Sequence, residues 1–479
     1  MSHDASWNEE TIRPLIGGKS EEGADFSTVA SPYDGMPVAR MPISSEDDAR
    51  RAIAAADGAR SAMATWPARE RAAYLRRVAD LVTERTEDIA VAMTRETGKA
   101  LRDARVETAR SADTLRLCAE EAIRIEGAHI PMEASAIGAG KIAMTLRFPV
   151  GVVSAITPFN APVNLVMHKL GPSVAAGNAT VLKCSPKAPL CVSKAVDCFV
   201  DAGGLPEGAL SALYGDAVGP VMVSDERVDF ISFTGSTNVG RIIRQNAGMK
   251  RVALELGGVG PTIVHSDADT EAAAVACARN AFMLAGQSCI SVQNVFVHRK
   301  VYDAFVARLL EEIADLRVGD PMDPETEIGT LIDKHAAIRV EGMLDRAVSS
   351  GAELLTGGVR TGAQIQPAVL HKVSKDMEVA CEEIFGPAMS VMPYDDVEPI
   401  FRDITNSRYG LQAGIFTGSL SLALAAIKGI RTGGVIVNGT SRWRSDQMPY
   451  GGVKDSGIGR EGPKFSTLDM TEERFFVLN

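Results

Sequence analysis

A chain of 479 residues with 46% apolar and 23% charged content is a globular protein of two or three domains, which excludes disordered and fibrous classes. Its net charge of −11 argues against a nucleic-acid surface, and no apolar run is long enough for a membrane span. Seven cysteines without a metal-type CxxC pair read as free thiols of a reducing, cytoplasmic compartment, and MSHDASWNEETIRP has neither the basic start nor the apolar run of a secretory signal.

Residues 1–45 carry short strand signals broken by turns, with Tyr33-Asp34-Gly35 as a hairpin turn. From Glu46 the pattern is helical: one stretch through DARRAIAAADGARSAMATW, a second over 69–85, a third over 97–126. Residues 127–148 lose that period and read as two strands joined by Ser-Ala-Ile-Gly-Ala-Gly, a ribbon that needs another surface to cover it. From Pro149 strands and helices alternate through VGVVSAIT, ATVLKC, VDFISFT and VALEL, the rhythm of a doubly wound α/β layer. A second series of the same kind starts at Pro261 and includes NVFVH, a helix over 301–314, one near 335–350, PAVLHKV, a helix over 420–431 and GGVIVNG. A glycine-rich loop, MPYGGVKDSGIGREG, and a strand-like tail, ERFFVLN, close the chain.

Four stretches carry chemistry. Cys289, in Gly-Gln-Ser-Cys-Ile-Ser, sits on a loop, where a thiolate can attack a carbonyl carbon. Glu255, thirty-four positions upstream in LELGG, is flanked by leucines; burial there raises a carboxyl toward the range of a base. Asn160, in TPFNAP, follows a predicted central strand, where ligands of open α/β sheets collect, and its amide can donate to a developing oxyanion. Gly235-Ser236 opens a helix after VDFISFT, and a helix amino end attracts phosphate. The middle glycine of a GxGxxG fingerprint is missing, and alone this turn is weak evidence. The seven histidines lack ligand spacing, so no metal site is expected.

Asn160, FTGSTNVG, LELGG, GQSC, EEIFGP and PYGGVKDSGIGREG stand in the order found in the NAD(P)-dependent aldehyde dehydrogenase superfamily, which the whole chain resembles. The resemblance implies a Rossmann-like cofactor domain (1–126 and 149–256), an α/β catalytic domain (257–445) and a small β oligomerisation element (127–148 and 464–479), assembled as a homodimer or homotetramer. It implies that Cys289 attacks the aldehyde, that Asn160 and the Cys289 N–H hold the oxyanion, and that Glu255 activates water against the thioester. NAD or NADP would lie against Thr157, Phe159, Lys183, Ser185, Gly235, Ser236, Glu255, Leu256, Gly257, Glu383 and Phe385. Relatives that pass the acyl group to CoA often lack the glutamate, so Glu255 implies a free acid.

Three residues depart from the family pattern. Pro186 stands where many NAD-preferring members have a glutamate, so no carboxylate repels a 2′-phosphate and NAD and NADP both remain open. Phe159 replaces the common Trp, and Ser288 precedes the nucleophile. TPFNAPVNLVMHKLGP and DQMPYGGVKDSGIGREG resemble the lactaldehyde and phosphonoacetaldehyde dehydrogenase branch. Arg110, Arg442 and Arg444 are candidates for binding an anionic group on a small aldehyde; structural ion pairs are the alternative for them, and neutral aldehydes the alternative substrates. A non-catalytic use of the fold would predict a damaged site, and none of its key residues is missing.

Overall fold

The computed structural model describes residues 9–479; MSHDASWN, where the amino-terminal stretch begins, lies outside the described residues. Two α/β layers dominate the fold, beside a small antiparallel sheet at the carboxyl-terminal tail, a three-stranded sheet near the amino end and a two-stranded hairpin. In the first layer the strands Val152–Ile156, Ala179–Lys183, Leu210–Leu213, Phe230–Thr234 and Arg251–Glu255 are all parallel. Val152–Ile156 is buried at every position, as an apolar strand covered on both faces must be. The chain winds outward from it through Ala179–Lys183 to Leu210–Leu213. It then returns to the other side through Phe230–Thr234 to Arg251–Glu255. The winding direction therefore reverses between Val152–Ile156 and Phe230–Thr234, and a ligand crevice opens at the carboxyl ends of such strands.

The second layer is a seven-stranded sheet with Pro261–Val264 and Asn294–His298 near its centre. Two further strands, Ala388–Tyr394 and Gln412–Phe416, flank that pair, with GGVIVNG supplying the edge strand Gly434–Val437. Only five residues, 256–260, link the carboxyl end of Arg251–Glu255 to the amino end of Pro261–Val264. The crevice edge of the first sheet is thereby tied to the amino-terminal edge of the second. Separate apolar clusters fill the two faces of each sheet.

Ile142–Pro149 pairs antiparallel with Thr471–Leu478 over eight positions and with His129–Ile130 over two, so the ribbon is covered partly by the carboxyl-terminal tail. The Pro463–Asp469 helix before that tail packs instead on the Leu101–Ala122 and Pro162–Ala176 helices. Elsewhere the predicted bounds shift. The first helical stretch breaks at Ala59, after Gly58, into Glu46–Gly58 and Arg60–Thr65. The third starts at Leu101 because Gly98 takes a left-handed φ of 72° that closes the preceding helix. The Tyr33-Asp34-Gly35 turn joins the antiparallel strands Phe26–Ala30 and Pro37–Pro42.

The helices that follow the two central strands of the first sheet both open on Ala-Pro, at Ala161-Pro162 and Ala188-Pro189, without a side-chain cap of their own. Their orphan N–H groups are satisfied from outside. Glu107 accepts from the Val163 and Asn164 N–H groups at 3.0 and 3.2 Å. Glu96 accepts from Leu190 and Cys191, both at 2.8 Å. Burial pushes Glu96 up to about 7 against the pull of those bonds. Glu107 also pairs with the buried Lys99. Glu107→Ala should therefore leave Lys99 buried without its carboxylate and cost about 3–5 kcal/mol, read as a lowered urea midpoint. A midpoint equal to wild type would show that the pair and the cap contribute nothing net.

Candidate active site

One cavity of about 590 Å³ lies at the junction of the two sheet edges. All the predicted site residues line it except Thr157, Lys183 and Ser185. Those three lie further along the first-sheet edge. Thr157 donates its N–H to the Lys183 carbonyl at 3.2 Å, Lys183 Nζ reaches Asp216 at 2.9 Å, and the buried Ser185 accepts from the Lys187 N–H at 3.3 Å.

The Cys289 loop is bent by three successive left-handed residues, Leu284, Ala285 and Gly286, with φ of 56°, 51° and 71°. Two of these are not glycine, so backbone strain is stored next to the thiol. Gln287 holds the loop: its side chain accepts from the Ile332 N–H at 2.9 Å and donates to the Leu284 carbonyl at 3.2 Å. Its own carbonyl accepts from Asn160 Nδ2 at 2.9 Å. The candidate oxyanion donor and the candidate nucleophile are thus joined through one backbone oxygen. Burial pushes the Cys289 thiol up to about 11.

Glu255, at the end of its strand, is 5% exposed, and neither carboxylate oxygen has a hydrogen-bond partner. Burial, and then the nearby charge of Glu461, hold it well above the usual carboxylate range, against the pull of Arg444, Lys169 and Arg460. Glu461 itself is drawn down to about 2 despite its burial, chiefly by His168 and Arg444. Lys169 Nζ sits 3.7 Å from Glu461 and donates to Ser232 and Thr234 at 3.1 and 2.8 Å.

At the first-sheet edge Ser236 caps the Thr237–Asn246 helix, and its hydroxyl accepts from the Val239 N–H. A methyl at Gly257 would overlap the Glu383 carboxylate, so the carboxylate could keep its place only against glycine. Glu383 is buried enough to be pushed up to about 7 and accepts one bond, from the Gly258 N–H at 3.2 Å. The rings of Phe159 and Phe385 meet edge-on at 5.9 Å, with Phe385 at a left-handed φ of 47°. Among the described residues no group of His, Cys, Asp and Glu could hold a metal ion.

The three arginines differ. Arg110 forms a two-pronged pair with Asp446, both contacts at 2.7 Å. Arg444 pairs with Glu461 at 2.6 Å. Arg442 lines the cavity with no hydrogen bond to its guanidinium among the described residues, and its Nε is buried and unpartnered. Asp446 also accepts from Asn164 and His168, at 3.4 and 2.9 Å. Sequence reasoning missed Gln287, Lys169, His168, Glu461 and Tyr450. A signal existed for two of them: His168 and Lys169 interrupt a helix that is otherwise almost wholly apolar and buried throughout.

A thiol, an unpaired buried carboxylate and an amide donor at the switch point of a doubly wound sheet define a nucleotide-type α/β enzyme built around a cysteine. Residues 19–476 match the model of the aldehyde dehydrogenase family. The chain is 44% identical over 466 residues to a 3-sulfolactaldehyde dehydrogenase of Priestia aryabhattai, covering 97% of each. It is 37% identical over 456 residues to a lactaldehyde dehydrogenase of Methanococcus vannielii, covering 94% of this chain and 97% of that one. Its structure superposes with a TM-score of 0.95 on an NADP-dependent glyceraldehyde-3-phosphate dehydrogenase from Bacillus halodurans complexed with NADP, at 36% identity, covering 98% of this chain and 100% of that one. The chain belongs to the aldehyde dehydrogenase family. It is an NAD(P)-dependent oxidoreductase of aldehydes, and the sequence resemblance, including its lactaldehyde-like branch, is borne out.

Proposed function

We propose that the substrate is a small aldehyde bearing a carboxylate, sulfonate, phosphonate or phosphate, and that the product is the free acid. The observation that carries this reading is Arg442, a cavity-lining guanidinium with no hydrogen-bonded acceptor, while Arg110 and Arg444 are already committed to carboxylates. Burial disfavours its charge and the nearby Asp103 favours it without a hydrogen bond among the described residues; an anionic substrate group would supply the hydrogen-bonded acceptor. The names of the sulfolactaldehyde and glyceraldehyde-3-phosphate relatives point the same way. The lactaldehyde relatives favour the neutral alternative.

In the proposed mechanism Cys289 Sγ bonds to the aldehyde carbon. The carbonyl electrons move onto oxygen, where Asn160 Nδ2 and the Cys289 N–H donate. A nicotinamide cofactor, when bound, would supply the hydride acceptor needed to oxidise this adduct to a thioester. Glu255 then takes a proton from water, the resulting hydroxide adds to the thioester carbon, and the C–S bond breaks to release the acid and the thiolate. The first-sheet residues fit the cofactor. Glu383 has acceptor capacity left for ribose hydroxyls, Ser236 and the helix amino end suit a pyrophosphate, and Phe385 and Phe159 offer an apolar cavity wall for a flat ring. Thr157, Lys183 and Ser185 would hold the adenosine side, with Gly235, Leu256 and Gly257 permitting close approach.

We assign 1–126 and 149–256 to cofactor binding, 257–445 to catalysis, and 127–148 with 464–479 to assembly, as a homodimer or homotetramer. Within the last unit, the strand Thr471–Leu478 is the exposed part. Phe476 and Leu478 are 37% and 57% exposed and share one face with the likewise exposed Ile142, Met144 and Leu146, an apolar stripe suited to a second copy. A cytoplasmic location follows from the free thiols.

Arg442→Met should raise KM for an anionic aldehyde by about tenfold to a hundredfold, with little change for a neutral one; equal effects in steady-state assays would discard the anion pocket. Glu255→Gln should keep one equivalent of rapid cofactor reduction but lower steady-state turnover by about 10²–10⁴-fold. Because the Glu255 carboxyl is raised, its base form gains population as pH rises. Wild-type hydrolysis should therefore speed up with pH and the residual rate of the variant should not. A variant with normal turnover would remove Glu255 from the mechanism. Phe476→Asp should lower the sedimentation mass, and an unchanged mass would assign assembly to another surface.

A further inference from the structure

One buried polar group at the thiol has no part in the mechanism above. Tyr450 Oη lies 3.0 Å from Cys289 Sγ, and the sulfur is its only hydrogen-bond partner among the described residues. The side chain is 3% exposed and packs with Ile290 and Leu411. The Arg444 guanidinium covers the ring at 3.8 Å from its centroid. Arg444 is held in turn by Glu461 at 2.6 Å and lies 3.3 Å from His168 Nε2. The ring therefore has little freedom to carry its hydroxyl away from the sulfur.

We propose that Tyr450 is a catalytic residue: its phenol donates a hydrogen bond to the Cys289 thiolate, stabilising the nucleophile and fixing its direction of attack, while Arg444 is the positioning residue that holds the ring. The proton lost from the thiol goes to solvent or to Glu255, and the phenol keeps its own. As the sulfur lone pair forms the C–S bond, the charge that the phenol stabilised moves onto the substrate oxygen. When the C–S bond breaks in the hydrolytic step, the same donor receives the returning thiolate. This rests on the reading of Cys289 as nucleophile.

Charged groups of both signs face the sulfur. Glu383 and Glu255 disfavour a thiolate, and Arg444 and Arg442 favour it. After burial itself, the bond from Tyr450 is the largest influence on Cys289, and like the charge of Arg444 it opposes burial. Burial holds the phenol well above its ordinary range, so it stays a donor throughout the working pH of the thiol. A phenylalanine would fill the same space between Ile290 and Leu411. The hydroxyl therefore adds nothing to the packing, and its effect lies at the sulfur.

The test is iodoacetamide alkylation of Cys289 in the cofactor-free enzyme, followed by peptide mass spectrometry from pH 7 to 10.5. Tyr450→Phe should shift the profile up by about one pH unit, lowering the rate at pH 8 about tenfold. The melting temperature should be unchanged and kcat/KM should fall in parallel. Difluorotyrosine placed at 450, a more acidic phenol of nearly the same shape, should shift the profile the other way and keeps the test open if the phenylalanine variant misfolds. Arg444→Lys should give a smaller upward shift. Profiles that superimpose on wild type for Tyr450→Phe, or for the difluorotyrosine form if that variant cannot be made, would reduce Tyr450 to a packing residue. Cys289→Ala separates the two readings: full activity there would overturn the nucleophile assignment itself, whatever the alkylation profiles show.

Discussion

A helix that begins at the carboxyl edge of a parallel sheet brings its unpaired N–H groups to the place where ligand binds, and those groups must be satisfied. This chain satisfies them from behind. Glu107 and Glu96, on neighbouring helices, take over the caps that Ala161 and Ala188 cannot provide. The arrangement fixes the first sheet against the helical layer at two points, and it leaves the TPFN turn before Pro162 free to face the cavity. Glu107 does this as a buried ion, which is possible only because Lys99 lies beside it. The position of Asn160 thus depends on an ion pair between the Leu101–Ala122 helix and the link just before it.

The same exchange of buried charge recurs deeper in the site. Asp446 gathers Arg110, Asn164 and His168, while Glu461 gathers Arg444 and Lys169. Each carboxylate has enough donors to remain ionised despite its burial. Glu255 does not, and its two oxygens are the unpaired ones. Donors alone thus keep two buried acids ionised and leave the third, Glu255, shifted toward its neutral form. The loop 441–461 provides Arg442, Arg444, Asp446, Tyr450 and Glu461, so one segment sets both the electrostatics and the lining of the cavity.

Much of this was legible in the sequence. The alternation from Pro149, the Cys289 loop, Glu255 and Asn160 announce themselves because their signals are local: a β-branched run, a small-residue loop, a carboxylate between leucines. The strands Ala388–Tyr394 and Gln412–Phe416 were not read. The first contains Pro393 and the second is five residues without polar alternation, so neither shows a clean period. The partners of the arginines were also illegible. Arg110 meets Asp446 across 336 positions, and nothing in either neighbourhood specifies the other. The role of Tyr450 was hidden because the turn around it draws attention to its glycines, whereas the hydroxyl matters only once Cys289 is folded against it.

The bond from Asn160 Nδ2 to the Gln287 carbonyl has a consequence for how this site can be dissected. The amide proposed to hold the oxyanion also ties the turn after one sheet to the loop before the other. Removing it takes away a donor to the reacting oxygen and, at the same time, a tether on the segment that carries the sulfur. The rate lost in such a variant would combine two free energies that no single substitution can separate. Because the acceptor is a backbone carbonyl, no side-chain change at Gln287 removes it; a main-chain change, an ester in place of the 287–288 amide, weakens the tether while leaving the Asn160 donor in place.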